Sequence, residues 1–135
     1  MIAANVMFDL PAVEWSQRDR STWQEVFAEV IAASGLLLVI FGVVRVGRAS
    51  VAAFTVGAYI AAADYFTSSK SFANPDVTIA RTFSDTFAGI EPASAPMFVV
   101  AQLVGTAVAL ATVRVIYPDI GGVADQVVVP HDATT

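Results

Sequence analysis

The stretch SSKSFANPDVTIARTFSDTFAGIEPASAP, residues 68–96, is neither a hydrophilic loop nor a membrane-crossing run. Asn74-Pro75-Asp76 reads as a helix start: asparagine is a favoured N-cap, proline is preorganised for the first helical position, and an acid suits the positive end of the helix dipole. Val77, Ala80, Phe83 (or Ser84) and Phe87 recur at steps of three and four, which predicts a helix over 75–88. Gly89 and Pro92 stop it. About three and a half turns cannot cross a hydrocarbon core of roughly 30 Å. Spacing alone leaves two placements open, a re-entrant half-helix facing a water-filled cavity or an amphipathic helix on the membrane surface.

Working outward, three long apolar runs hold most of the remaining hydrophobic residues. Residues 26–44 carry one charge, Glu29, and residues 49–67 carry one, Asp64. Residues 97–113 carry none, and the run reaches a full crossing at Tyr117 if Arg114 snorkels to the headgroups. The whole chain of 135 residues is 56% hydrophobic and 14% charged, with a mean hydropathy of +0.68. A small soluble domain needs a polar shell, with about 25% charged residues. This chain lacks the material for one, so the expected fold class is all-α, a multi-pass membrane helical bundle in a lipid bilayer.

Other function classes fall away on composition. Seven basic residues against twelve acidic ones, net −5, give no basic face for a nucleic acid. There are no cysteines, and the single histidine, His131, lies in the final polar residues, so no metal or other cofactor is expected. No nucleophile stands beside the carboxylates of the spans, and no enzyme is expected.

The connections are short. Residues 14–25 mix charge with Trp15 and Trp23, both suited to a membrane interface. Residues 45–48 allow only a tight link between antiparallel helices, and residues 119–135 read as a polar tail. Residues 1–13 read as the end of a preceding helix. Arg45, Arg48 and Arg114 fall on one side, but Arg18, Arg20, Lys70 and Arg81 fall on the other, so charge alone leaves the orientation open.

The order of span, span, Asn-Pro-started half-helix and span resembles the C-terminal half of a major intrinsic protein, the aquaporin and aquaglyceroporin family. Asn74-Pro75-Asp76 resembles the family's second Asn-Pro-Ala signature. Ala28-Glu29-Val30 followed by Gly35-Leu36-Leu37-Leu38-Val39 resembles its fourth helix, with a membrane-embedded glutamate near the start. The resemblance implies one aquaporin-like repeat over 14–118, three transmembrane helices plus a re-entrant half-helix, in the cell membrane. It also implies a channel for water or small neutral solutes such as glycerol, in which Asn74 donates N–H bonds to a passing water or polyol. Glu29 would accept bonds from the loop before Asn74. By itself a carboxylate in an apolar span costs at least ~2.5 kcal/mol, so Glu29 must be hydrogen-bonded or lie near the headgroups.

Three positions depart from the family pattern. Asp76 replaces the usual alanine and weakens the positive potential that excludes cations. Val77 stands where the filter arginine usually follows; Arg81, one turn deeper, either reaches the lumen or pairs with Asp64 or Asp85. Asp64 stands where water-selective members place histidine, as a filter group or an interfacial one. Length is the largest departure. A lone half-helix leaves N–H groups facing hydrocarbon at several kcal/mol each. The expectation is therefore a truncated chain with a missing N-terminal half, or a homo-oligomer that completes the pore. A non-conducting membrane scaffold or accessory subunit is the alternative.

Overall fold

The computed structural model describes residues 1–118, so the polar tail expected at 119–135 lies outside the described residues. The described chain is helical throughout its regular structure: α1 (Ile2–Met7), α2 (Trp23–Arg45), α3 (Ala52–Phe66) preceded by a 3-10 turn at Ala49–Val51, α4 (Pro75–Arg81) and α5 (Ala95–Ile116). α2, α5 and the continuous stretch Ala49–Phe66 are each long and apolar enough to cross a membrane. α2 and α5, at 23 and 22 residues, extend about 33 Å at ~1.5 Å per residue.

Local chemistry sets the ends of α2. Thr22 Oγ1 accepts from Glu25 N–H at 3.4 Å and donates to the Glu25 carboxylate at 2.6 Å, a capping arrangement that fixes the first turn. At the far end Gly47 adopts φ +72°, a left-handed conformation that costs glycine little. Gly47 N–H and Arg48 N–H then donate back to Val44 O and Val43 O at 2.9 and 3.1 Å, so the chain reverses into α3 at once.

α2 packs chiefly against α5 and also against α3, while α4 rests on α5. The α2–α5 seam is built from small residues. Ala101, Gly105 and Ala109 of α5 are buried, and Gly105 lies against Val30, Ala33 and Ser34 of α2. A Cβ on Gly105 would stand 2.6 Å from Val30 O, so the two backbones meet at a distance only glycine permits. Ser34 Oγ lies 2.9 Å from Gly105 O and 2.7 Å from Val30 O and closes the contact. Ala107 and Ala111 lie on the opposite, exposed face of α5 and take no part in the seam. Large apolar side chains point away from the bundle, among them Phe54, Leu103 and Val115. In water they would be a liability; they suit hydrocarbon.

The helix expected over 75–88 ends at Arg81. Thr82 N–H and Phe83 N–H turn back to Ile79 O and Ala80 O in a tightened last turn. The carbonyls that a longer helix would need are taken by other segments. Arg81 O accepts from Ile90 N–H, Thr82 O from Ser16 N–H, and Phe83 O from Glu14 N–H and the Asn5 side chain. The helical spacing of Phe83 and Phe87 has another origin: Phe83 stacks on Trp15 with centroids 4.9 Å apart, whereas Phe87 is exposed.

Candidate functional site

The loop from Thr67 to Asn74 descends from the end of α3 to the start of α4. Lys70, Ser71 and Ala73 all have left-handed φ, at 66°, 46° and 51°. For side-chain-bearing residues each costs of order 1 kcal/mol or more, so the surroundings must hold them there. Two anchors do so. Phe72 is buried with Ile90 and Phe98 and stacks on Phe98 at 5.4 Å. Ala73 N–H donates to Glu29 Oε1 of α2.

Glu29 is fully buried. Its Oε1 also accepts from Gln102 Nε2 of α5 at 2.8 Å, and the same nitrogen donates to Thr78 Oγ1 of α4 at 2.8 Å. Three helices, α2, α4 and α5, therefore meet at the Gln102 amide nitrogen, beside the carboxylate oxygen that holds the loop. Glu29 stands six residues inside α2, about 9 Å along the axis at ~1.5 Å per residue. The loop before Asn74 thus reaches well down the bundle instead of lying across its end.

Asn74 has extended backbone, and its Oδ1 accepts from Asp76 N–H at 2.8 Å, capping α4. Among the described residues its Nδ2 has no partner, and the residue is exposed. The arrangement therefore presents an amide donor whose direction is fixed by the cap on its oxygen. Asp76 is exposed on the first turn, and Pro75 occupies the first helical position.

The remaining sequence candidates sit around this point. Val77 is half-buried and packs against the Phe72, Ile90 and Phe98 cluster. Arg81 lies over the Phe72 ring at 4.3 Å and donates to Ala88 O at 3.4 Å. It forms no ion pair with Asp64 or Asp85; among the described residues the ion pair within 4.0 Å is Arg20–Glu25. Asp85 accepts instead from Gln17 N–H at 2.9 Å. Asp64 is half-buried two residues before the end of α3.

Sequence reading missed four residues that hold the site. Gln102 and Thr78 have just been described. Arg20 is buried, and its guanidinium donates to Gly89 O and Phe87 O and lies over Phe72. Burial, then the nearby Arg18, pushes its pKa down. Asn5 donates to Phe83 O at 3.2 Å and accepts from Ser84 Oγ at 2.6 Å, which ties the first residues to the loop after α4. For Gln102 there was a signal: it is a lone amide in an otherwise apolar stretch, and such a group needs partners. The loop groups that bond Arg20 and Asn5 lie 67 to 79 positions away, which composition and spacing do not reveal.

Comparison with known proteins gives the family. No solved structure gives a match. Aquaglyceroporin AqpS from Rhizobium meliloti (strain 1021) is 45% identical over 111 residues, covering 82% of this chain and 47% of that protein. The chain thus spans about half the length of the curated relative it matches. The family model for Major intrinsic protein matches residues 14–135, and the chain belongs to that family.

Proposed function

We propose that this chain is one half of a channel in the cell membrane, carrying water or small neutral solutes such as glycerol, with Asn74 as the solute-facing donor. The observation behind this reading is the state of that side chain. Its Oδ1 is committed to Asp76 N–H, its Nδ2 is unpaired among the described residues, and the loop before it is tied to a buried carboxylate inside the bundle. A fixed donor opposite apolar walls can replace part of a permeant's hydration shell and hold a single file. Val77, Arg81 and Asp64 are the candidates for setting its width and charge, and Glu29 supports the loop. The name of the similar aquaglyceroporin favours small polyols beside water.

Half a pore needs a counterpart, either a preceding half or a second copy of the chain. Stopped-flow swelling of proteoliposomes tests the reading. The full chain, alone or with its counterpart, is expected to swell vesicles faster than empty liposomes, and Asn74→Ala to lower that rate. Swelling no faster than empty liposomes in both preparations would leave a scaffold and reject the channel.

A further inference from the structure

We infer that Gln102 of α5 is a positioning residue for Asn74, holding the backbone on both sides of it through one side-chain amide. This rests on the reading of Asn74 as the solute-facing donor.

The Gln102 amide nitrogen has two hydrogens, and each goes to a different tether. One reaches Glu29 Oε1 at 2.8 Å, the oxygen that also receives Ala73 N–H. The other reaches Thr78 Oγ1 at 2.8 Å, whose own hydrogen goes to Asn74 O at 3.1 Å. The two tie points, Ala73 N–H and Asn74 C=O, bracket the backbone torsions of Ala73 and Asn74; Asn74 O also accepts Thr78 N–H at 3.0 Å, and the hydroxyl link adds to that helical bond. Ala73 is held at φ 51°, a conformation it would leave if freed. Its relaxation would swing the next peptide and redirect the Asn74 side chain.

The amide acts as a donor in both directions. Gln102 Oε1 has no partner among the described residues. The flipped amide would set that oxygen against the Glu29 carboxylate oxygen, which chemistry forbids. Gln102, Thr78 and Glu29 are 2%, 0% and 0% exposed, so water does not compete for these bonds. The hydroxyls of α5, Thr106 and Thr112, bond to carbonyls of their own helix. Gln102 reaches out of α5 to join two other helices.

The side-chain amides of the chain's two asparagines, Asn5 and Asn74, provide the readout. In the full chain, asparagine-labelled with 15N in lipid nanodiscs, the Asn5 amide reports the fold through its bonds to Phe83 O and Ser84 Oγ. Gln102→Leu removes both donors, and Thr78→Val removes one link at nearly constant shape. Both are expected to shift the Asn74 amide signals and leave those of Asn5 in place. Thr78→Ser keeps the hydroxyl and should retain the wild-type Asn74 signals. Exchange of Ala73 N–H is expected to quicken about tenfold in Gln102→Leu, the factor for one hydrogen bond of ordinary strength.

An Asn74 signal unmoved by Thr78→Val, or moved equally by Thr78→Ser, would overturn the inference. That pair decides the matter even where Gln102→Leu also disturbs Asn5. The spectra do not depend on conduction. A chain with the expected pattern and no vesicle swelling would keep the positioning role and lose the channel.

Discussion

The guanidinium of Arg20 donates to Gly89 O at 2.8 Å, linking the segment before α2 to the loop after α4. The same side chain donates to Phe87 O at 2.9 Å and pairs with Glu25 at 3.4 Å. Its backbone N–H donates to Ser94 Oγ, and nearby Glu91 N–H donates to Arg18 O at 2.7 Å. Residues 14–20 are thereby sewn onto residues 82–94 beyond the end of α4, while Glu29 holds the loop before its start. The left-handed loop is held between these two clamps.

Removing the Arg20 side chain should therefore loosen α4 from outside. Arg20→Ala leaves two carbonyls without their donor and removes the ion pair with Glu25, and should cost about 2–4 kcal/mol. Arg20→Lys keeps the charge but cannot span both carbonyls, so it should recover only part of that. Thermal unfolding in detergent measures both. An unchanged midpoint for Arg20→Ala would show that the clamp carries no stability.

Asp19 gives a pH dependence with a definite sign. Hydrogen bonds from Ser21, and then from Ser94, hold its pKa below the ordinary value of 3.8. A depressed carboxylate contributes stability that is fully present above the unfolded pKa and is lost as pH falls through the folded one. The melting temperature of the wild-type protein should therefore fall more steeply than that of Asp19→Asn between about pH 5 and about pH 3. Above that window the two curves should run parallel. The effect should be small, because the group is exposed to solvent.

The seam between α2 and α5 makes a paired prediction about glycine. Gly105→Ala places a Cβ 2.6 Å from Val30 O and 2.9 Å from Ala33 Cβ. The helices must part, weakening the Ser34 bond, at a cost of about 1–3 kcal/mol. Gly42→Ala meets nothing within 4 Å and should be neutral or stabilising by up to about 1 kcal/mol. Comparing their unfolding midpoints separates close packing from helix propensity; equal shifts would contradict the tight seam.

Asp76 sets local stability against exclusion of cations. It is exposed on the first turn of α4, where an acid stabilises the helix end by roughly 0.3–1 kcal/mol. In the channel reading its negative charge also offsets the positive end of α4 near Asn74. Asp76→Ala should lower any cation leak of the reconstituted channel, with swelling retained and a slightly lower melting temperature. A leak unchanged by the substitution would mean that Asp76 does not face the permeation path.

What was legible in the sequence followed from local chemistry. Apolar length marked α2, the Ala49–Phe66 stretch and α5, and Asn74-Pro75 marked the start of α4, because those signals lie within the segments they describe. The end of α4 was misread because it is set by Ser16, Glu14 and Asn5, which take the carbonyls of Thr82 and Phe83 from far along the chain. Likewise Glu29 announced a need for partners by being a carboxylate in an apolar run. The identity of one partner, Gln102, 73 positions away, depended on how α2 and α5 pack.

Orientation was open on charge count alone, and the fold changes the count. Following the helices, all nine acidic residues in 1–118 fall at or toward the end where α2 and α5 begin. At that end Arg20 is buried against Glu25, Arg81 is half-buried over the Phe72 ring and Lys70 is half-buried, which leaves Arg18 as the exposed basic residue there. The opposite end carries Arg45, Arg48 and Arg114, with Arg45 stacked 4.6 Å over Tyr117. By the positive-inside rule that end should face the cytoplasm. The chain has no cysteine, so single cysteines at Gly47 and at Ser21 can be labelled cleanly. In intact cells a membrane-impermeant maleimide should modify Ser21→Cys and spare Gly47→Cys until the membrane is opened. The reverse pattern would invert the topology, and labelling of both in intact cells would indicate dual insertion, the arrangement that a pore made from two copies of this chain would require.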